Sequence, residues 1–300
     1  MTPDILVMQA FNGLSLFTVL ALMALGLAIV FGLMGVINMA HGELMAMGAY
    51  ATYATSLFFE RFLPGAVDVY FLVGIAVAFG VTWAFGWMLE RGLIRHLYRR
   101  PLDTMLATWG VSLCLQQAFR HVFGPKDVTV PTVDWLQGGV TVMEGASLPL
   151  NRLFIVALAL VVVAGVWWLL FRTRQGLRIR AVMQNRAMSG AAGIDTDRVD
   201  ARTFALGCGL AGIAGSSFTM LASTGPVTGQ QYIVDTFIVV VFGGVESLLG
   251  TLLSSFLIAQ MQSTLEFLMS GSMAKATILL LVIAALYFRP NGLFALKVRR

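Results

Sequence analysis

Three polar side chains interrupt a long apolar segment near the start of the chain. Asn38, His41 and Glu43 lie within GLMGVINMAHGELMAMGAY, residues 32–50, and four glycines lie beside them. An ionisable side chain in hydrocarbon costs about 2.5–3.5 kcal/mol on insertion scales, so such groups usually face a cavity or a partner. Glycines weaken a helix locally. The pattern is typical of a discontinuous helix that lines a translocation path.

Two other interpretations of this segment stay open. In one, residues 38–43 form a turn between two helices at the cytoplasmic face, where His41 and Glu43 are solvated. In the other, the segment binds a metal, but one histidine and one carboxylate are too few ligands. The sequence has no G-x-S-x-G, H-E-x-x-H or P-loop motif. We therefore expect no catalytic residues, no metal, no cofactor and no enzymatic activity in this chain.

A second combination of glycines and a carboxylate occurs in the run YIVDTFIVVVFGGVESLLG, residues 232–250. Glu246 and Ser247 follow two consecutive glycines there. We predict that both residues line the same path as the first segment. The alternative is that Glu246 marks the cytoplasmic end of a helix.

GCGLAG, residues 207–212, matches the dinucleotide-binding pattern G-x-G-x-x-G. That pattern needs a preceding strand and a following helix, whereas here it lies inside an apolar helical run. Gly207, Ala211 and Gly215 recur every four residues, and such small residues let membrane helices approach closely. We predict that they pack helices together.

The amino-acid composition indicates which class of fold holds these residues. Of 300 residues, 58% are hydrophobic and only 12% are charged, about half the charged share of soluble domains. A transmembrane helix needs about 20 apolar residues, so the chain could form about eight or nine of them. We predict an all-α, polytopic transmembrane bundle with at least one discontinuous helix.

The apolar runs divide this single transmembrane domain, 1–300, into two hydrophobic halves. The first half covers 1–123, a loop rich in glycine and proline covers 124–151, and the second half covers 152–300. We predict the first span at about 5–24 and the second between 25 and 59, interrupted at 38–43. We expect the loop to be external, with a short hairpin. The two halves suggest an inverted repeat, which is common in transporters.

Fifteen of the twenty lysines and arginines fall in three short stretches. Because positive loops stay in the cytoplasm, the stretches place one face of the bundle and the C-terminus there, with the N-terminus outside. Few aromatic residues interleave with these charges, which argues against nucleic acid. The stretches are Arg91, Arg95, Arg99 and Arg100; Arg172, Arg174, Arg178, Arg180, Arg186, Arg198 and Arg202; and Arg289, Lys297, Arg299 and Arg300.

The cytoplasmic loop 172–202 contains an amphipathic pattern that predicts a helix at about 178–190, followed by Gly193. A basic amphipathic helix can lie on anionic lipid. It can equally be a docking helix for a cytoplasmic partner. Physical reasoning alone leaves both open.

Several segments together resemble one family. GLMGVINMAHGELMAMGAYATY, GLRIRAVMQNRAMSGAAGIDTDRVDARTFALGCGLAGIAG and YIVDTFIVVVFGGVESLLGTLLSS resemble the permease subunits of the branched-chain amino acid class of bacterial ABC importers. The resemblance covers essentially the whole chain. Within that class, AVMQNR, TGPVTGQQYIVDTF and RPNGLFA look most like the urea permease branch.

The resemblance implies a multi-pass protein of the bacterial inner membrane. Its implied partners are a second homologous permease, two cytoplasmic ATPase subunits and a periplasmic substrate-binding protein. Residues 181–194 would form a coupling helix in an ATPase groove, which favours docking over lipid binding. The expected coupling residues are Arg180, Ala181, Val182, Met183, Asn185, Arg186, Ala187, Ala191 and Gly193.

We therefore expect the permease subunit of an ATP-driven importer, with urea or short amides as first substrate and branched-chain amino acids as the alternative. A rival of another class is a stand-alone channel or secondary transporter. The visible motifs offer this chain no way to bind ATP, so active transport would need the separate ATPase.

Overall fold

The computed structural model describes residues 3–98, 100–143, 146–290 and 292–294. Within them, five helical segments are long and apolar enough to cross a membrane, and the architecture is the polytopic helical bundle that the sequence predicts. The elements are α1 (Pro3–Leu27), α2 (His41–Phe62), α3 (Tyr70–Gly92), α4 (Pro101–Phe123), β1 (Gly139–Met143), β2 (Ala146–Pro149), α5 (Leu150–Arg172), α6 (Arg174–Gln184), α7 (Arg186–Ala191), α8 (Thr196–Phe218), α9 (Thr228–Gly243), α10 (Leu248–Leu268) and α11 (Gly271–Phe288).

The predicted boundary between the first two spans, at residues 24–25, is wrong. Helix α1 continues directly into a π-helix, Ala28–Leu33. Residues 20–30 are buried and apolar or glycine, so no polar group ends the helix there. Residues 34–40 connect the π-helix to α2: Met34 is still helical, residues 35–40 are not, Gly35 has φ +68°, and α2 begins at His41.

The predicted single helix at 178–190 is also wrong, because two helices, α6 and α7, cover this loop. Asn185 separates them in extended conformation, and its Oδ1 accepts a hydrogen bond from the Met188 amide at 2.9 Å. An asparagine in this role is a preferred N-cap, and it starts a new helix one residue after α6 ends.

Strands β1 and β2 pair antiparallel and form the hairpin expected in the long loop. The loop covers one end of the bundle, which we call the hairpin end. The Tyr70 hydroxyl donates to the Pro131 carbonyl, the Trp135 indole donates to the Asp68 carbonyl at 2.7 Å, and Val128 pairs with Thr224. Helix α5 runs from this end to Arg172, so the opposite end carries the arginine clusters. We call it the basic end.

The contacts among six helices have the symmetry that the predicted inverted repeat would give. The trio α1–α2–α3 packs with the same pairwise contacts as the trio α8–α9–α10: α3 contacts α8 as α10 contacts α1, and α2 contacts α8 as α9 contacts α1. The directions are opposite. The start of α1 lies beside the end of α8 at one cavity, and the end of the π-helix lies beside the start of α8 at another.

Some predicted features lie outside the described residues. They include the predicted cytoplasmic C-terminus and six residues of the basic clusters and the terminal motif: Arg99, Asn291, Ala295, Lys297, Arg299 and Arg300.

Candidate functional site

The segment after the π-helix folds back into the bundle and starts α2 in its interior. The His41 ring donates from Nε2 to the Met23 carbonyl at 3.1 Å. A Cβ on Gly26 would lie 3.2 Å from the same ring. Gly26 precedes Leu33 by seven residues, so α2 begins about 10 Å before the π-helix ends, measured along the axis. Asn38, His41 and Glu43 are at most 1% exposed.

The beginnings of α2 and α9 meet in this interior. Gly42 is the second residue of α2 and Gly229 the second of α9. A Cβ on either glycine would collide with the carbonyl oxygen of the other, so only glycine permits the approach. Helix starts carry partial positive charge from unpaired N–H groups. Two such ends therefore converge near His41.

Glu43 links three helices through polar contacts. Its Oε1 accepts from the Ser112 hydroxyl at 3.2 Å and from the Gln116 amide at 2.8 Å, both on α4. The same Gln116 amide approaches Gln230 Oε1 on α9 at 3.4 Å. The structure thus gathers the buried side chains of Glu43, Ser112 and Gln116 and, at their edge, the exposed Gln230 in one polar group, which we call the Glu43 cluster.

Sequence reasoning missed the contribution of α4. Its buried polar residues Thr104, Thr108, Ser112 and Gln116 are spaced by four and therefore share one helix face. This face meets the 34–40 segment, where the Met39 amide donates to the Thr108 hydroxyl at 3.0 Å. The spacing of four in an otherwise apolar helix was the available signal.

Several buried polar atoms of this region have no hydrogen-bond partner among the described residues. They are Asn38 Nδ2, His41 Nδ1, Glu43 Oε2 and the Tyr50 hydroxyl. A buried polar group without a partner costs about 1–3 kcal/mol. The region therefore offers donors and acceptors that a polar solute could satisfy.

Glu246 and Ser247 are not brought to the Glu43 cluster. They lie in the turn between α9 and α10, where Gly244 has φ +99°. Glu246 is exposed, and Ser247 is buried because its hydroxyl caps α10 by accepting from the Gly250 amide at 3.0 Å. The turn touches the end of the π-helix through Val245 and Gly32. This geometry fits the alternative in which Glu246 marks a helix end.

The small residues of α8 lie at helix crossings. A Cβ on Gly207 would be 2.7 Å from the Gly26 carbonyl oxygen, and one on Gly215 would collide with the Met45 carbonyl. Ala211 is fully buried between them. These positions let α8 contact both α1 and α2.

The helices α6 and α7 lie at the basic end over a cavity of about 170 Å³ that reaches Leu33 and Met34. Arg186 does not project freely from α7. It pairs with Asp200, with Asp197 at 3.0 Å, and lies 5.3 Å from the Tyr98 ring centre. Burial raises the pKa of Asp200 to about 6 against the opposing effect of Arg186; burial also raises the pKa of Tyr98.

The remaining predicted coupling residues divide into two groups. On α6, Val182 is buried and Arg180 stacks on the Phe171 ring at 5.3 Å, with Ala181 and Met183 half-buried. On and around α7, four are exposed: Asn185, Ala187, Ala191 and Gly193. Their neighbour Met188 is 67% exposed. The exposed group forms a small, largely uncharged surface at the basic end.

No cluster of three or more metal-binding side chains occurs in the described residues.

Comparison with known proteins identifies the family to which this sequence is similar. The family described as branched-chain amino acid transport system, permease component, matches residues 9–286. The high-affinity branched-chain amino acid transport system permease protein BraD of Pseudomonas aeruginosa is 28% identical, covering 95% of this chain and 94% of BraD. LivH of Escherichia coli K12, of the same description, is 26% identical at the same coverage.

The ribose import permease protein RbsC of Escherichia coli K12 is 25% identical, covering 91% of this chain and 84% of RbsC. No solved structure matches the chain significantly. The prediction of urea as substrate finds no support in these relatives, and the alternative, branched-chain amino acids, agrees better with them. The chain is an integral membrane permease component rather than an enzyme, and it belongs to the family of branched-chain amino acid transport system permease components.

Proposed function

We propose that this chain is the permease subunit of an ATP-driven importer for branched-chain amino acids in a bacterial inner membrane. The observation that carries the path is the return of the chain at 34–40, which starts α2 beside Met23. Because α2 and α9 both begin in the interior, polar groups reach the middle of an otherwise apolar bundle. The relatives BraD and LivH carry the name of that substrate class.

The path runs past Asn38, His41 and the Glu43 cluster in this proposal. The affinity for substrate resides in the binding protein, so the permease needs only polar groups that lower the barrier to passage. The Glu43 carboxylate suits an α-ammonium group, and the unpaired N–H groups of the two helix starts suit a carboxylate. Urea carries neither charge.

Coupling to ATP hydrolysis occurs at the basic end, which is cytoplasmic in this proposal. The exposed surface of α7 docks on an ATPase subunit, while Arg186 ties α7 to Asp197 and Asp200 at the start of α8. Movement of α7 therefore moves α8, which contacts α1 at Gly26. The other partners are a second permease and a periplasmic binding protein.

Uptake by cells with and without this gene tests the proposal. Labelled leucine and labelled urea are each supplied at micromolar concentration, with the other solute unlabelled as competitor. We expect deletion to abolish leucine uptake, and urea not to compete. Loss of urea uptake alone would refute the substrate, and transport without any copurifying ATPase would refute the importer in favour of a channel or secondary transporter.

A further inference from the structure

A second, larger cavity lies at the hairpin end, away from the Glu43 cluster. Its volume is about 470 Å³, within the range of about 300–1,000 Å³ typical of small-molecule sites. Five helices contribute to it: the first half of α1, the start of α5, the end of α8, α9 and the end of α10. We call it the hairpin-end cavity.

Two opposite charges line this cavity. Arg152 at the start of α5 donates to the Asn12 side chain on α1. Glu266 near the end of α10 accepts from Gln262 at 2.9 Å. Among the described residues, no ion pair joins Arg152 or Glu266 to each other or to another charge. A cation and a carboxylate thus face one space without neutralising each other by direct contact.

Apolar side chains complete the lining between these charges. Leu16 and Val19 come from α1, Phe218 and Leu221 from the end of α8, and Phe267 from α10. A space with a cation on one element, an anion on another and aliphatic and aromatic groups between them matches a zwitterion with an apolar side chain. Pockets of this kind are mostly apolar, with a few placed polar groups.

The cavity leads towards the proposed path. Its floor is formed by Val19 and Tyr232, and Met23 lies one helical turn below Val19. Met23 is the residue whose carbonyl binds His41 and whose sulfur lies 3.7 Å from the Thr236 hydroxyl. The cavity therefore ends one turn above the start of α2.

We propose that the hairpin-end cavity is an entry site that binds a zwitterionic amino acid with an aliphatic side chain, Arg152 binding its carboxylate and Glu266 its ammonium group. This inference rests on the proposed function, because it places the same substrate at the outer end of the same path. A zwitterionic lipid headgroup, as in phosphatidylethanolamine, also carries one positive and one negative charge. The experiment below distinguishes it from the amino acid by using membranes of defined lipid composition.

Protection of an introduced thiol measures occupancy. Ala222 lines the cavity and is exposed, so Ala222→Cys in a Cys114→Ser background accepts a membrane-impermeant maleimide. The two permeases and their ATPase subunits are reconstituted together in nanodiscs of phosphatidylglycerol, and the binding protein is left out. Gln137→Cys, in the exposed part of the hairpin-end loop, is the control thiol. We expect leucine to slow labelling of the Ala222→Cys variant and to leave labelling of the control unchanged.

Substrate analogues assign the two charges. 4-Methylpentanoate is leucine without the ammonium group, isoamylamine is leucine without the carboxylate, and each should protect about tenfold less well than leucine because one charge-assisted contact is lost. Arg152→Gln should abolish the advantage of leucine over isoamylamine, and Glu266→Gln should abolish its advantage over 4-methylpentanoate. Arg61→Gln and Glu60→Gln, charge changes at the exposed end of α2, should preserve both advantages. General misfolding would not produce this paired pattern.

The outcomes separate the two proposals. If the importer takes up leucine but leucine does not protect the thiol introduced at position 222, or if Arg152→Gln and Glu266→Gln behave like their controls, the cavity is not the entry site. If phosphatidylethanolamine protects that thiol without leucine, the cavity is a lipid site and the inference is wrong. If uptake of leucine itself is absent, the proposed function fails instead.

Discussion

Replacing Glu43 with glutamine tests whether its charge serves the path or only the packing. Glutamine has the same shape, and its oxygen can keep the hydrogen bonds from Ser112 and Gln116. Two charge-assisted bonds become neutral ones, a loss of about 1 kcal/mol each. Replacing the Glu43 carboxylate with a neutral amide also removes the free-energy cost of burying a charge, which offsets that loss. We expect the thermal stability of Glu43→Gln to change by less than about 1 kcal/mol and leucine uptake to fall about tenfold or more.

Glu43→Leu provides the structural comparison. It removes the acceptor of the Ser112 hydroxyl, which costs about 1–3 kcal/mol, and leaves the Gln116 amide only its long contacts of 3.4 Å to Ser112 and Gln230. We expect this variant to melt several degrees lower in detergent, and its loss of uptake to follow its loss of folded protein. Glu60→Gln, an exposed carboxylate at the other end of α2, is the matched control. Normal uptake by well-assembled Glu43→Gln would refute a role for the charge in transport.

Three further predictions concern packing, coupling and pH. Gly207→Ala places a Cβ 2.6 Å from Val30 Cγ2 and should cost about 1–3 kcal/mol of stability by overpacking, whereas Gly165→Ala has open space and should cost nothing in the same melting assay. Ala187→Asp puts a charge on the exposed surface of α7 and should uncouple ATP hydrolysis from uptake; unchanged uptake per ATP would exclude this surface from docking. Burial raises the pKa of Asp200 from 3.8 to about 6, so folding favours its neutral form. This stabilisation, at most about 3 kcal/mol, is complete below pH 4 and disappears as the pH rises through 6. Asp200→Asn should therefore gain stability relative to the natural chain between pH 4 and 7, and parallel melting curves across that range would contradict the assignment.

The interior polar residues could be found from sequence because their cost in an apolar run makes them conspicuous. Asn38, His41 and Glu43 stand out in this way, and all three are buried. The interruption predicted at 38–43 overlaps the break that precedes α2 at His41, whereas the end of the first span, predicted near residue 24, was placed too early. Residues 25–33 are apolar, and only the packing of α1 against α8 shows that the helix passes through them and that the chain turns back afterwards.

Residues whose role depends on a distant neighbour were harder to assign. Their spacing of four places Ser112 and Gln116 on one face of α4, but only the fold places Glu43 opposite them. Glu246 looked like a second interior carboxylate because it follows two glycines, yet the turn after α9 leaves it exposed. Two glycines followed by a carboxylate indicate that a helix ends there. They do not indicate whether that end lies in the interior of the bundle or at its surface.

The positions of the two cavities and the symmetric helix contacts bear on how the proposed importer could alternate between two open states. One opens at the hairpin end beside the first half of α1, the other at the basic end beside Leu33, and the buried residues 20–30 of α1 close the space between them. Alternating access needs two packings of similar energy that open opposite ends. The trios α1–α2–α3 and α8–α9–α10 contact each other through corresponding pairs of helices, a symmetry that would suit an exchange between two such packings in the proposed importer. The crossings at Gly26–Gly207 and Gly42–Gly229 lie between the trios, where the absence of side chains lets the backbones approach closely. Arg186 attaches α7 to α8 through Asp197 and Asp200, so in the proposed importer a pull on α7 would act on the trio that contains α8.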